Sequence, residues 1–397
     1  MCVPNLLEQK LAQATDALRE LDLDLWLLLA RESEVIGDPS LPLVVGTSVT
    51  WESAFLVSRT GEHTAIVGTG DVENLRQTGA WQHVVGYVEG VSEPLLQALE
   101  RYDPRTIALN YSRDDVLADG LTHGLYLLLQ DILGSTHFWS RVVSGEEVAR
   151  RVRSRKSPEE QRRLRQAVTT TLEIWERLKS WLRPGLTERE IAAFLHQQVR
   201  ERGLETAWDP GYCPTVTAGP DSPVGHVGPT DIAIQRGHLL AIDFGVRQEE
   251  YCSDMQRTFY FLAEGETTPP EAVQRACDLV ARAIQAAAEA LRPGVLGWEV
   301  DQVAREMFAR AGAVEWQFAL GHQVGRAVHD GGCLLGPRWE RYGRRPYEPV
   351  EPDQVYTLEL GVGVPGYGRI SLEEEVLVHA SGCEFLGPPQ RELLVIG

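Results

Sequence analysis

His238-Leu-Leu-Ala-Ile-Asp-Phe-Gly-Val246 reads as an apolar strand with one carboxylate, Asp243, inside it. The pattern returns 116 residues later in Gln354-Val-Tyr-Thr-Leu-Glu-Leu-Gly-Val362, where Glu359 takes the place of the acid. A charge in a buried strand is costly unless it is paired or coordinates a cation. Each strand acid is followed by a second one. Asp254 comes eleven residues after Asp243, ahead of a strand over residues 258–262, and Glu373 comes fourteen after Glu359, ahead of Val376-Leu-Val378. A turn of this length returns the chain antiparallel, so each pair is expected to face itself across a hairpin, and the repeat to bring the two hairpins about one axis. Four carboxylates gathered in one place repel and shift one another's pKa. Two divalent cations would neutralise them, and mostly oxygen ligands favour Mn²⁺, Co²⁺ or Zn²⁺ over a thiolate-type site. A nitrogen ligand is available in Gly321-His-Gln-Val-Gly-Arg-Ala-Val-His329-Asp330, whose glycines allow close backbone approach. Alone, Asp254 or Glu373 reads as the acid of a solvated surface turn; the matching spacings favour the metal.

The repeat extends beyond these strands. Leu182-Arg-Pro-Gly185 returns as Leu291-Arg-Pro-Gly294, and at the same offset of 109 Glu190 meets Glu299, Ile191 meets Val300 and Gly203 meets Gly312. Each copy reads as a Pro-Gly turn, a helix and a stop at glycine. One extra loop between the copies, the Arg-, Pro- and Tyr-rich residues 331–351, accounts for the difference between the two offsets. The C-terminal part is therefore expected to be an α+β domain of two similar halves related by a pseudo-two-fold axis. Residues 1–148 alternate helical and strand-like stretches, with a strand over 25–29, a hairpin over 54–67, a strand over 106–110 and a helix over 121–133, and read as a smaller α/β domain. Arg150-Arg-Val-Arg-Ser-Arg-Lys156 is expected to be a solvated interdomain connection, because a capped helix starts directly after it. Ser157 is its N-cap, Pro158 its first position and Glu160 the partner in a capping box. The expected domains are 1–148 and 149–397.

The 397 residues carry 57 acidic and 38 basic side chains, a formal charge of −19, which disfavours a nucleic-acid or membrane partner. Met1 to Lys10 has no basic segment leading into an apolar one, so no signal peptide is expected. The six cysteines are scattered without a C-x-x-C pair, which suggests reduced thiols and a cytoplasmic protein.

With the acids, the histidine and the repeat in place, the sequence resembles the creatinase/aminopeptidase, or pita-bread, metallopeptidases, and within them the Xaa-Pro peptidase branch. Ile107-Ala-Leu-Asn-Tyr-Ser112 and Arg155-Lys-Ser-Pro-Glu-Glu160 extend the resemblance over nearly the whole chain. It implies a pita-bread catalytic domain preceded by a creatinase-like α/β domain. It implies two divalent metal ions per chain, with Mn²⁺ favoured, held by Asp243, Asp254, His322, Glu359 and Glu373, of which Asp254 and Glu373 bridge. His226, in His226-Val-Gly-Pro229, resembles the residue that supports the tetrahedral intermediate, and His329 the one that contacts substrate; either alone reads as an ordinary structural histidine. Glu359 is the implied proton acceptor. The implied substrate is a small peptide with proline at position two, and the implied assembly a homodimer.

Three positions depart from the family pattern. His238 stands where Arg/Lys-Gly-Asp is usual before the strand and bears only on the turn, and Asp221, five residues before His226, stands where an asparagine is common. Ser371, two residues before Glu373, stands where the branch often has arginine, and Arg369 is the candidate to replace it in binding substrate. Arg338, Arg341, Arg344 and Arg345 read equally as a carboxylate clamp or as plain surface. A dipeptidase is weakly favoured over an aminopeptidase P. A methionine aminopeptidase-like or creatinase-like hydrolase on the same fold, and an inactive binding protein that kept the fold, are the alternatives; the complete ligand set speaks against a metal-free creatinase-like enzyme and an inactive protein.

Overall fold

A computed structural model describes residues 5–225, 227–314 and 316–397. They divide into two compact units, Met1–Ser157 and Pro158–Gly397.

The first unit is built on a six-stranded mixed sheet in the order His83–Tyr87, His63–Gly68, Ser53–Ser58, Leu25–Ala30, Ile107–Leu109, Val142–Ser144. The apolar run Leu25–Ala30 is buried at every position. Successive side chains of a strand point to opposite faces, and here each face has its own core. Leu25, Leu27 and Leu29 pack with Leu95, Leu99, Leu125 and Leu129, which come from helices Ser92–Tyr102 and His123–Leu133. Trp26, Leu28 and Ala30 pack with Leu11, Leu18, Val148 and Val152, from helices Leu6–Glu20 and Glu146–Ser154. A strand covered on both faces needs no polar side, which is why it reads as a continuous apolar run.

The basic stretch corrects an expectation. It is not a solvated connection: residues up to Ser154 belong to the helix Glu146–Ser154, and Arg150, Arg153 and Lys156 are buried. Val148, Ala149 and Val152 turn this helix onto the core, so its basic side chains are drawn inward and must find acceptors. Arg150 pairs with Glu147, Arg151 and Arg155 pair with Glu20, and the Lys156 ammonium donates to the Arg153 carbonyl at 2.8 Å. Position 148/149 falls within this helix, and the compact units part instead after Ser157.

The second unit carries the repeat in its geometry. Helices Pro158–Trp181 and Glu188–Glu201 cover one sheet, and Glu271–Ala290 and Gly297–Arg310 the other. The repeated glycines adopt matching backbone angles, φ 92° at Gly185 against 90° at Gly294, and 65° at both Gly203 and Gly312. The bridge Thr187–Ala233 is matched by Leu296–Pro349. The first half contributes Thr215–Ala218, Leu239–Phe244 and Met255–Phe261, with Leu394–Ile396 added from the C-terminus; the second contributes Val355–Val364, Gly368–His379 and Gly382–Phe385.

Side-chain bonds join the two sheets. Thr258 Oγ1 donates to the Ser371 carbonyl at 2.7 Å and accepts from the Ser371 N–H at 2.9 Å. Arg257 forms a bidentate pair with Glu374 at 2.9 and 3.0 Å, both side chains buried. Removing one partner strands a buried charge, so Glu374→Ala should destabilise the metal-free protein by about 3–5 kcal/mol. A urea unfolding midpoint that stays at the wild-type value would contradict that role for the pair.

Candidate metal centre

Asp243 lies in the strand Leu239–Phe244, and Glu359 in Val355–Val364 directly opposite Glu373 in Gly368–His379. The expectation that each acid pair meets across its hairpin holds in direct register for the second pair only, and in the first pair Asp254 meets the Asp243 side chain from outside the ladder. In the first, the residue opposite Asp243 is Gln256, and Asp254 precedes the strand Met255–Phe261 by one position. The difference between the two spacings, eleven residues against fourteen, is one of register. A step of two residues keeps Asp254 and Gln256 on the same face.

His322 reaches these acids from a segment laid along the Glu359 strand. The Glu359 N–H donates to the Leu320 carbonyl at 2.7 Å, and the Thr357 N–H to the His322 carbonyl at 2.9 Å. The close approach depends on Gly321, where a Cβ would lie 1.9 Å from the Thr357 carbonyl oxygen. Gly245 plays a similar part after Asp243, where a Cβ would meet the Ser253 carbonyl oxygen at 1.8 Å.

His322 Nε2 lies 3.7 Å from Asp254 Oδ2, 3.9 Å from Glu359 Oε1 and 3.9 Å from Glu373 Oε1. These separations are too long for hydrogen bonds. They suit donors that share a cation, because two ligands each about 2.1 Å from one ion are at most about 4.2 Å apart. Donor atoms of Asp254, His322 and Glu373 all lie within 4.8 Å of one another, and all three residues are buried. Asp243 Oδ1 and Asp254 Oδ1 are buried without a hydrogen-bond donor. Carboxylate oxygens left bare in the interior are what a divalent ion would satisfy, and the residues present fit one.

The electrostatics agree. Burial pushes Asp243 up to about 7 and Glu359 up to about 8; the charge of Asp243 adds to the rise at Glu359, and the Gln256 amide and the Arg369 charge offset part of it. Burial together with repulsion from the other carboxylates holds Asp254 and Glu373 well above the usual range. Burial pulls His322 down to about 3, so the imidazole is neutral and free to ligate.

Other expected residues take up definite places. His329 is exposed and meets the His322 ring edge-on at 4.4 Å. Arg369 shares a strand face with Ser371 and Glu373. Its guanidinium stacks over Trp316 at 5.0 Å and lies over Gly361, where a Cβ would meet Nη2 at 2.7 Å. His226 lies outside the described residues. Arg338 stacks on Trp298, and Arg341 on Trp339 and Tyr342, while Arg345 donates to the Gly332 carbonyl. Gln256 and Glu375 escape a search for acids paired across hairpins. Gln256 donates to Glu359 Oε2 at 3.2 Å and to Glu373 Oε2 at 2.9 Å, and Glu375 accepts the Asp254 N–H at 2.6 Å. The signal for Gln256 was its period-two spacing from Asp254.

Residues 162–380 match metallopeptidase family M24. Over 211 residues the chain is 30% identical to the Xaa-Pro dipeptidase of Pyrococcus furiosus, a match that spans 53% of this chain and 56% of that protein. Among solved structures it is similar to the Xaa-Pro dipeptidase from Bacillus anthracis, with a TM-score of 0.75, 21% identity, and coverage of 98% of this chain and 99% of that one. It is also similar to the X-Pro aminopeptidase from Thermotoga maritima, with a TM-score of 0.71, 24% identity, and coverage of 97% and 99%. At these identities the two structures show a shared fold, the expected pita-bread unit with its N-terminal α/β domain. Among the described residues no helix is long and apolar enough to cross a membrane.

The raised carboxylates predict how the metal-free protein responds to pH. A carboxyl that binds its proton more tightly folded than unfolded stabilises the fold below its unfolded pKa, and that stability is lost as pH rises through the folded value. The reference values are 3.8 for Asp243 and 4.5 for Glu359. The melting temperature of chelator-treated protein should therefore fall from about pH 4.5 to about pH 8. Added Mn²⁺ should restore it most strongly at the upper end. A flat profile over that range, measured by calorimetry, would contradict the electrostatics described.

Proposed function

The chain belongs to metallopeptidase family M24, and from that premise we propose that it hydrolyses the bond between an N-terminal residue and a following proline in short peptides, as a dipeptidase. Two divalent cations would be held by Asp243, Asp254, His322, Glu359 and Glu373, with Mn²⁺ the favoured ion. The observation that carries this reading is the convergence of neutral His322 on three acids at 3.7–3.9 Å, two of them buried and Glu359 half-buried, beside bare oxygens on Asp243 and Asp254.

When bound, such cations polarise a carbonyl and lower the pKa of water at the site. The protein's own groups do the rest. Glu359 is the least enclosed of the three acids around His322, its side chain 19% exposed against 8% for Asp254 and 1% for Glu373. That access to the open side of the site suits a group that takes a proton from attacking water and returns it to the departing amine. His329, exposed beside His322, would hold the substrate backbone.

Arg369 supports the dipeptidase over the aminopeptidase. It makes no salt bridge or hydrogen bond to a carboxylate among the described residues; burial pulls its guanidinium below the usual range, and the charge of Glu359 offsets part of that. Gly361, beneath it, is one same-face step, about 6.6 Å, beyond Glu359. A guanidinium kept half-buried and unpaired on the face of the catalytic acids is suited to a free substrate carboxylate. In a dipeptide that carboxylate belongs to the residue just past the scissile bond.

Asp254→Ala and Glu373→Ala should each abolish metal binding and turnover together, measured by elemental analysis and by proline release from Ala-Pro. Full turnover by either variant would sink the assignment. With Mn²⁺ added, the wild type should cleave Ala-Pro faster than Ala-Pro-Ala. Arg369→Ala should raise KM for Ala-Pro by about tenfold or more, the value of a lost charge-assisted hydrogen bond, with a smaller change in kcat. Preferential cleavage of Ala-Pro-Ala would instead make the enzyme an aminopeptidase.

A further inference from the structure

One side chain touches two of the acids without being a ligand. The two N–H groups of the Gln256 amide are shared between Glu359 Oε2 at 3.2 Å and Glu373 Oε2 at 2.9 Å. In both carboxylates the other oxygen, Oε1, is the one 3.9 Å from His322 Nε2. Gln256 thus turns the pair the same way, with Oε2 toward the amide and Oε1 toward the imidazole. The amide has a carbonyl as well, and a flip would set it against two carboxylates. Ser371 prevents this by donating its hydroxyl to Gln256 Oε1. Ser371 is in turn held by Thr258, through both its N–H and its carbonyl. Gln256, Ser371 and Glu373 are all buried, so water offers no ready substitute for these bonds.

We propose that Gln256, oriented by Ser371, is a positioning residue that presets Glu359 and Glu373 for the two cations. The inference rests on the five-residue metal site proposed above. Its physical point is the charge of the donor. An arginine in contact with these acids would fix them equally well but would offset part of the negative charge that draws the cations in. A neutral amide supplies both hydrogen bonds and adds no positive charge of its own to the site. Ser371 fits this arrangement because its short hydroxyl reaches the amide carbonyl and brings no charge.

The test is calorimetric titration of Mn²⁺ and Co²⁺ into chelator-treated wild type, Gln256→Met, Ser371→Ala and the double variant, with visible spectra of the Co²⁺ forms. Gln256→Met keeps the volume and removes both donors. It should weaken metal binding by about tenfold to a hundredfold, the usual effect of losing a group that orients ligands, and shift the Co²⁺ bands. On Ala-Pro its kcat should fall with KM unchanged, because Gln256 touches the ligands and not the substrate. Ser371→Ala should weaken binding several-fold, and the double variant should match Gln256→Met, since Ser371 acts through the amide. Wild-type affinity and spectrum in Gln256→Met, or a Ser371→Ala effect that adds in full to it, would overturn the proposal. If Gln256→Met does not fold, Ser371→Ala decides alone, and unchanged metal affinity there overturns it. A wild type that takes up neither metal would defeat the metal-site reading and this inference with it; normal uptake with indifferent variants would defeat this inference only.

Discussion

Mutual repulsion among buried carboxylates is the constraint on which the second unit depends. Asp243, Asp254, Glu359 and Glu373 share one interior, and desolvation and like charge both resist their ionisation. Such a cluster persists only where the surrounding fold over-determines it. Here the over-determination is visible in the Arg257–Glu374 pair, in the Thr258–Ser371 bonds and in the His322 segment laid along the Glu359 strand. The two helix-covered cores hold the four acids together at their junction although burial resists their ionisation, and a cation there would take the place of the protons they retain.

Duplication explains how the acids are delivered, and its imperfection explains how they are used. The turn and helix-stop glycines match between the halves to within a few degrees of φ, and each half repeats one isolated bridge. Yet the residue opposite the strand acid is Gln256 in one half and Glu373 in the other. Strict symmetry would have placed the second acid of the first half there. The amide instead joins the acids of the second half to the strand of the first, and so ties together the two sides of the centre.

The first unit shows the opposite economy. Its central strand feeds two cores with alternating side chains, and the basic run on its last helix is structural. Arginines that read as solvated in the sequence are packed, because the apolar positions of the same helix face inward and carry them along. Charge density alone therefore misleads in this chain. Near Lys156 it marks a packed helix, and near Asp243 a site.

The sequence by itself determined the class of fold, the internal repeat and the ligand set it nominates, because apolar periodicity, Pro-Gly turns and acids inside apolar strands are local signals. Asp243, Glu359 and His322 could each be named from their own few neighbours. Tertiary structure decided what depends on register and on distance across strands. It set Gln256 rather than Asp254 opposite Asp243, turned two carboxylates by one amide, and placed the guanidinium of Arg369 over Gly361 on the same face. A one-residue slip of register moves every side chain of a strand to the other face, and spacing along the chain does not fix register when a turn separates the partners. The sequence could list the groups of the centre, but only strand pairing could say which of them touch.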